Sequence, residues 1–356
     1  EFVTMLYSGT GKAAGRVAAV DLDLAAITAT SGCESTDFDG FPLGGVALMM
    51  RSNCFFRDQA SNAAAAGAVA ALVMPTKSDA RAGVPRGTLT PDANVDIPVL
   101  GISFAAGRRL LEAASAGSAL AIKVDAVTEE RTTTNVLAES RWGDDSRVIV
   151  IGGHLDSVPA GPGINDNGSG IAAVLEIAEE MARFETPARV RFAFWGAEEF
   201  GLLGSIHYVE HLSDGELEAI DAYLNFDMLG SPNYVRFVYD GRRAGAAAPA
   251  GSVEIQQIFE EHFEDRGLPT ELVPLEDRSD HALFAGHGID VGGLFSGADE
   301  VKTKAEVRTY GGRAGELHDP CYHLPCDTIE NVNFAILDEM ADAAAAGLVT
   351  LAGAEE

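Results

Sequence analysis

From about Thr133 onward the chain alternates short apolar runs with stretches of helical periodicity, a pattern that few architectures other than an α/β sheet accommodate. Arg147–Gly152 (RVIVIG) reads as a buried strand. Gly168–Phe184 reads as a helix, with Ile171, Val174, Leu175, Ala178 and Met181 at helical spacing. Val190–Trp195 is the next strand, a helix follows near Ser205–His211, and Tyr223–Met228 and Val291–Phe295 are later strands. The part before this alternation reads differently. It has strands at Gly15–Asp21, Gly45–Met50, Ala68–Met74 and Ile97–Ile102, and one clear helix, Asp58–Gly67, closed by a glycine. Clustered His or acid ligands are absent from this first part, so the chemistry is expected in the second.

In an open α/β sheet, ligands bind beyond the carboxyl ends of the strands. Polar residues gather at those ends. His154 follows RVIVIG, Asp166 lies in a glycine-rich loop twelve residues later, Glu198 and Glu199 follow Val190–Trp195, and Asp227 ends Tyr223–Asp227. That many acids in one crevice repel one another unless cations are present. A pair of metal ions resolves the repulsion, and imidazole with carboxylate suits Zn²⁺.

Composition narrows the partners. A formal net charge of −29 repels phosphate backbones, so nucleic acid is not an expected partner. No run approaches the roughly 20 apolar residues of a membrane span. Four cysteines fall as Cys33/Cys54 and Cys321/Cys326, and neither pair makes a CxxC motif. Two disulfides in an oxidising, secreted setting fit them, with four buried thiols as the alternative. No leader precedes Glu1, which reads as a mature or trimmed chain.

Two sets of strings carry family resemblances. GGVALMMRSNCFF (44–56) followed by QASNAAAAGAV (59–69) resembles the protease-associated (PA) domain, over roughly residues 10–128. PA domains are non-catalytic insertions that cover or border a host enzyme's active site. GGHLDS, GPGINDNGSG, FAFWGAEEFGLLGS, LNFDMLGSPN, DRSDHALF, GGLFSGA and CYHLPCD, in that order from about 133 to 350, resemble the M28 zinc aminopeptidases, particularly their secreted bacterial branch. The resemblances imply a small β-rich PA domain at 1–128. They also imply a catalytic domain at 129–356, a mixed, mostly parallel sheet with helices on both faces.

Carried over residue by residue, the M28 resemblance implies two Zn²⁺ per chain. His154 and Asp227 bind one, Glu199 and His323 the other, and Asp166 bridges them. Asp156 orients the His154 imidazole, Glu198 is the general base, and Tyr322 stabilises the oxyanion from a loop that a Cys321–Cys326 disulfide would close. Arg278 meets the carbonyl end of the bound amino acid and Phe295 lines its side-chain pocket. The implied reaction is hydrolysis of the first peptide bond of peptides with a free N-terminus, with apolar first residues preferred. A glutaminyl cyclase-like or carboxypeptidase-like relative on the same fold, and a non-catalytic binding protein, remain alternatives. A structural calcium, the oligomeric state and the PA domain's role have no readable signature.

Other motifs are weaker. His207-Tyr-Val-Glu-His211 fits an H-x-x-E-H zinc pattern, but on a helix expected only to pack. The loop 161–170 lacks the Lys-Ser/Thr of a phosphate-binding loop, and no G-x-S-x-G elbow exists. His262, His281, His287 and His318 are expected to be structural or solvent-facing. The family's catalytic domain opens with helices and a strand before the PA insertion, whereas this chain begins almost inside the PA region. The resemblance therefore implies a segment removed or dispensed with.

Overall fold

The computed structural model describes residues 2–353, except 23, 25–29, 78–82, 91–92, 94, 116, 130, 245–248 and 276–277. The chain divides into two compact units, Glu1–Arg131 and Thr132–Glu356.

The first unit is built on β1 (Phe2–Thr4), β2 (Gly11–Ala19), β3 (Val46–Met50), α1 (Phe56–Ala65), β4 (Ala70–Met74), β5 (Val99–Ile102), α2 (Phe104–Ser115) and β6 (Ala119–Val124). Its sheet runs β1-β5-β4-β3-β2-β6, with β2, β3, β4 and β5 parallel and the two outer strands antiparallel. Strands β3 and β4 are buried at every residue, which is why they read as unbroken apolar runs. The expectation of one helix here needs correction. Helix α2 escaped notice because Gly107 interrupts its pattern, and glycine inside a helix costs roughly 1 kcal/mol against alanine. Packing explains that glycine, since a Cβ at Gly107 would come 2.4 Å from the sulfur of Met74 on β4. Cys33 and Cys54 form a disulfide.

The second unit comprises β7 (Val136–Glu139), β8 (Asp144–His154), α3 (Gly168–Met181), β9 (Ala188–Trp195), α4 (Leu203–Glu210), α5 (Asp214–Glu218), β10 (Ile220–Phe226), β11 (Phe237–Ala244), α6 (Ser252–Asp265), β12 (Glu271–Leu275), α7 (His281–Gly286), β13 (Asp290–Phe295), α8 (Lys304–Tyr310) and α9 (Phe334–Ala352). The sheet order is β12-β11-β13-β10-β8-β9-β7. Its centre, β13-β10-β8-β9, is parallel, and antiparallel pairings of β11 with β13 and of β7 with β9 flank it. Alternation along β8 shows how both faces are covered. Ile149 and Ile151 join a core with α3, α6 and α9, while Val148 and Val150 join one with α4 and α7.

Helix α3 departs in detail from its sequence reading. It ends at Met181, and Leu175 is 50% exposed. The buried stripe is Gly170, Ala173, Val174, Ile177 and Met181, and Leu175 lies one 100° step beyond it.

Candidate metal centre

Strands β8, β9 and β10 run parallel, so their carboxyl ends open on the same side of the sheet. His154 is the last residue of β8, Asp227 directly follows β10, and Glu198–Glu199 lie in the turn after β9. Asp166 stands just before α3, whose first turn is capped by Asn167. The Asn167 side chain accepts from the Gly170 amide and donates to the Phe226 carbonyl, which ties this loop to the end of β10. His323 sits at φ 58° inside the loop that the Cys321–Cys326 disulfide closes.

These side chains form two clusters with one shared member. His154, Asp166 and Asp227 make the first, and Asp166, Glu199 and His323 the second. His154 Nε2 lies 3.2 Å from Asp227 Oδ1 and 3.3 Å from Asp166 Oδ1. His323 Nε2 lies 3.1 Å from both Asp166 Oδ2 and Glu199 Oε2. One carboxylate therefore addresses both groups, an oxygen to each. Among the described residues, the buried oxygen Glu199 Oε1 has no hydrogen-bond partner. A buried carboxylate oxygen without a donor is costly unless a cation meets it.

Without metal, protons compensate the charge. Burial works against a charged imidazole at both histidines. Even so, the carboxylates of Asp227, Glu198 and Asp166 hold His154 well above its ordinary value, and Asp166 and Glu199 push His323 up to about 9. Burial raises Glu199 to about 6 and raises Glu198 well above the usual carboxylate range. Asp166 is pushed up by burial but ends lower than usual, because both imidazoles face it. Imidazole nitrogen and carboxylate oxygen arranged in two triads fit two Zn²⁺, and metal uptake there would displace these protons.

The remaining expected residues fall into place unevenly. Glu198 is buried, with its carboxylate 4.0 Å from His154 Nε2. Tyr322 stacks on His323 with ring centroids 3.8 Å apart. Burial raises its phenol well above the ordinary value, against the pull of the Arg278 charge. Asp156 touches His154 Nδ1 mainly through its main-chain carbonyl at 3.0 Å, with its carboxylate at 3.8 Å. That carboxylate instead accepts the backbone N–H groups of Glu198 (2.8 Å) and Glu199 (3.3 Å), so it holds the turn that carries both glutamates. Arg278 is exposed and paired with Asp299 and Glu300 at 3.3 and 3.2 Å. Phe295 is half-buried and stacks on Phe237.

Sequence reasoning missed Ser279, whose hydroxyl donates to Asp227 Oδ2 at 2.9 Å and accepts from Asn225. It lies inside DRSDHALF, but nothing in that string says which carboxylate it reaches. His207 and His211 are exposed and belong to neither cluster.

Residues 135–348 match peptidase family M28, and residues 14–110 match the PA domain. The chain belongs to peptidase family M28. It is 44% identical over 349 residues to an aminopeptidase of Pseudomonas aeruginosa, covering 97% of this chain and 65% of that protein. It is 41% identical over 310 residues to leucine aminopeptidase 2 of Trichophyton equinum, covering 86% and 62%. The chain thus spans less than two thirds of the length of these M28 relatives. Among solved structures, it resembles an aminopeptidase from Aneurinibacillus sp. strain AM-1, with TM-score 0.72, 25% identity, and coverage of 100% of this chain and 79% of that one. A zinc aminopeptidase from Bacillus subtilis gives TM-score 0.68 at 26% identity, with the same coverage. In this M28 chain, no helix among the described residues is long and apolar enough to cross a membrane.

Proposed function

We propose that this chain is a secreted aminopeptidase that hydrolyses the first peptide bond of peptides with a free N-terminus. One zinc ion is held by His154, Asp166 and Asp227, and another by Asp166, Glu199 and His323. The observation that carries this reading is the pair of triads sharing Asp166, with the buried Glu198 at their edge. The names of the relatives, aminopeptidases among them, and the two disulfides support it.

Two zinc ions in such a site supply a more acidic water and a Lewis acid for the scissile carbonyl. The chain's own groups do the rest. Glu198, raised by burial, accepts the proton of the attacking water and returns it to the departing amine. The Tyr322 hydroxyl donates to the carbonyl oxygen as it becomes tetrahedral, and its stacking on His323 fixes its aim. Glu198 and Asp227 present negative charge to the substrate's ammonium group. Arg278, itself held by Asp299 and Glu300, receives the carbonyl end of the first residue. Phe295 contributes to an apolar pocket for its side chain.

Zinc content and cleavage of leucine p-nitroanilide test the reading together. About two zinc ions per chain, with turnover abolished by chelation and by N-acetylation of the substrate, are the expected results. One zinc per chain with cyclisation of N-terminal glutamine would instead assign the cyclase chemistry. Equal cleavage of free and acetylated substrate would refute exopeptidase action.

A further inference from the structure

Behind the metal clusters lies a second group of acids that the proposed chemistry does not use. Asp319 and Asp327 bracket the disulfide loop Cys321–Cys326, and both carboxylates are almost fully buried, at 0% and 1% exposure. Among the described residues neither has an ion pair, and each is satisfied by uncharged N–H donors. Asp327 Oδ1 accepts from the backbone amide of Asn165 at 2.9 Å, and its Oδ2 from that of Asp166 at 3.1 Å. One carboxylate thus grips the main chain of the shared ligand itself. The main chain adds a third tie, from the Ile164 amide to the Asp327 carbonyl at 3.2 Å.

Asp319 holds the other side. Its Oδ1 accepts from the Cys321 amide at 2.8 Å, at the start of the loop that presents Tyr322 and His323. Its Oδ2 accepts from the Asn165 side-chain amide at 2.7 Å. The Asn331 amide closes the set, donating to Asp319 at 2.9 and 3.0 Å and reaching Asp327 Oδ1 at 3.3 Å. The two loops also press together directly, since a Cβ at Gly161 would lie 2.4 Å from the Leu324 carbonyl oxygen.

The loop that supplies Asp166 and the loop that supplies His323 are therefore knitted to each other, and both belong to the second cluster. Carboxylates buried without a cationic side chain are expensive to ionise. Asp327 grips the main chain of Asp166, the residue that both metal clusters share. We propose that Asp327, supported by Asp319, is a positioning residue of the metal centre: it fixes the Asp166 carboxylate opposite His323 and adds negative charge that favours divalent cations there. This inference rests on the two-zinc reading above.

The test is zinc titration of the demetallated chain against a chromophoric chelator, for the unaltered protein and for Asp327→Asn. The substitution keeps the shape but turns an amide nitrogen toward one of the two N–H donors. Loss of such a supporting partner typically weakens metal binding by about 10–100-fold. We expect that weakening for one of the two zinc equivalents, with kcat recovered by excess zinc and KM little changed. A merely structural role would lower the melting temperature of the demetallated chain and leave both zinc affinities unchanged, which overturns the proposal. Should Asp327→Asn not fold, Asn331→Ser removes the amide shared by both carboxylates. The same loss, smaller in size, is then expected, and unchanged zinc affinity again overturns the idea. An unaltered chain that takes up fewer than two zinc ions refutes the proposed function instead, so the two failures are distinguishable.

Discussion

The two units share a building plan and differ in what they bury. Each has a sheet whose central strands are parallel and apolar on both faces. The buried polar side chains among the described residues of the first unit are neutral: Ser8, Ser31 and Gln59. Gln59 spends its amide on the carbonyls of Ser31 and Met50, as a structural group does. In the second unit the buried set includes His154, Asp166, Glu198, Asp280, Asp319 and Asp327. Burying ionisable groups opposes stability unless something binds them. A sheet with covered faces is thus compatible with either outcome, and chemistry must be argued from what lies beyond the strand ends.

One pair of substitutions should separate the units most sharply. Glu198→Gln keeps the size of a buried side chain in the second unit and removes its proton acceptor. We expect turnover to fall by about 10²–10⁴ with zinc content unchanged. Gln59→Ala in the first unit strips the donor from two buried carbonyls, which costs about 1–3 kcal/mol, and turnover per folded molecule should hold. Steady-state kinetics and denaturant melts on both variants check the crossing. Equal effects on turnover would erase the contrast.

The two disulfides offer a second, smaller contrast. Cys33–Cys54 spans 21 residues and Cys321–Cys326 spans 5. Chain entropy assigns about 3 kcal/mol to the longer loop and about 2 kcal/mol to the shorter. Replacing each pair by serine should therefore destabilise more at Cys33–Cys54. Activity and zinc retention should fall only at Cys321–Cys326, which frames Tyr322 and His323. Zinc analysis after dialysis, alongside thermal melts, would show whether the ranking inverts as expected.

Much of this contrast was legible in the sequence, for physical reasons. Continuous apolar runs such as RVIVIG mark strands covered on both faces, and the strand-end acids stand out against them. Helix α2 was hidden by Gly107, whose purpose is a close contact with Met74 that only the fold supplies. Leu175 fits the period of α3 yet lies off its buried stripe, since period alone does not set the phase. Asp156 was expected to serve the imidazole, and it does lie against His154 Nδ1, but that its carboxylate also accepts the amides of Glu198 and Glu199 in the turn after β9 was not readable from spacing. Ser279, Asp319 and Asn331 were invisible as partners because hydrogen bonds between distant loops leave no trace in spacing.

A pH series on the demetallated chain probes the charge burial itself. His323 is raised to about 9 from an ordinary 6.5, so its contribution is fully present below about 6.5 and is lost as pH rises through about 9. Glu199, raised to about 6, acts in the same direction, since its ionisation in the fold is disfavoured. His154 and Glu198 are also raised. Asp166 is lowered and opposes them only below the usual carboxylate range. The melting temperature of the demetallated chain should therefore decline from about pH 5 to 9. The zinc-loaded chain should show a flatter profile, because metal replaces the protons. Parallel profiles would mean that these groups do not exchange protons for metal.

The smallest effect is expected where a motif points to the wrong place. His207 and His211 fit a zinc pattern and stack with centroids 4.0 Å apart, but both are exposed on α4 or its end. His211 Nδ1 is already bonded to the His207 carbonyl at 2.7 Å, so one of its two nitrogens is spent on the helix. Replacing both with alanine should change stability by no more than about 0.5 kcal/mol, as surface substitutions do. Zinc content and turnover should match the unaltered chain. If a zinc equivalent disappeared with this pair, the metal would belong to a helix surface. The buried acids at the strand ends would then need another explanation for their tolerance of burial.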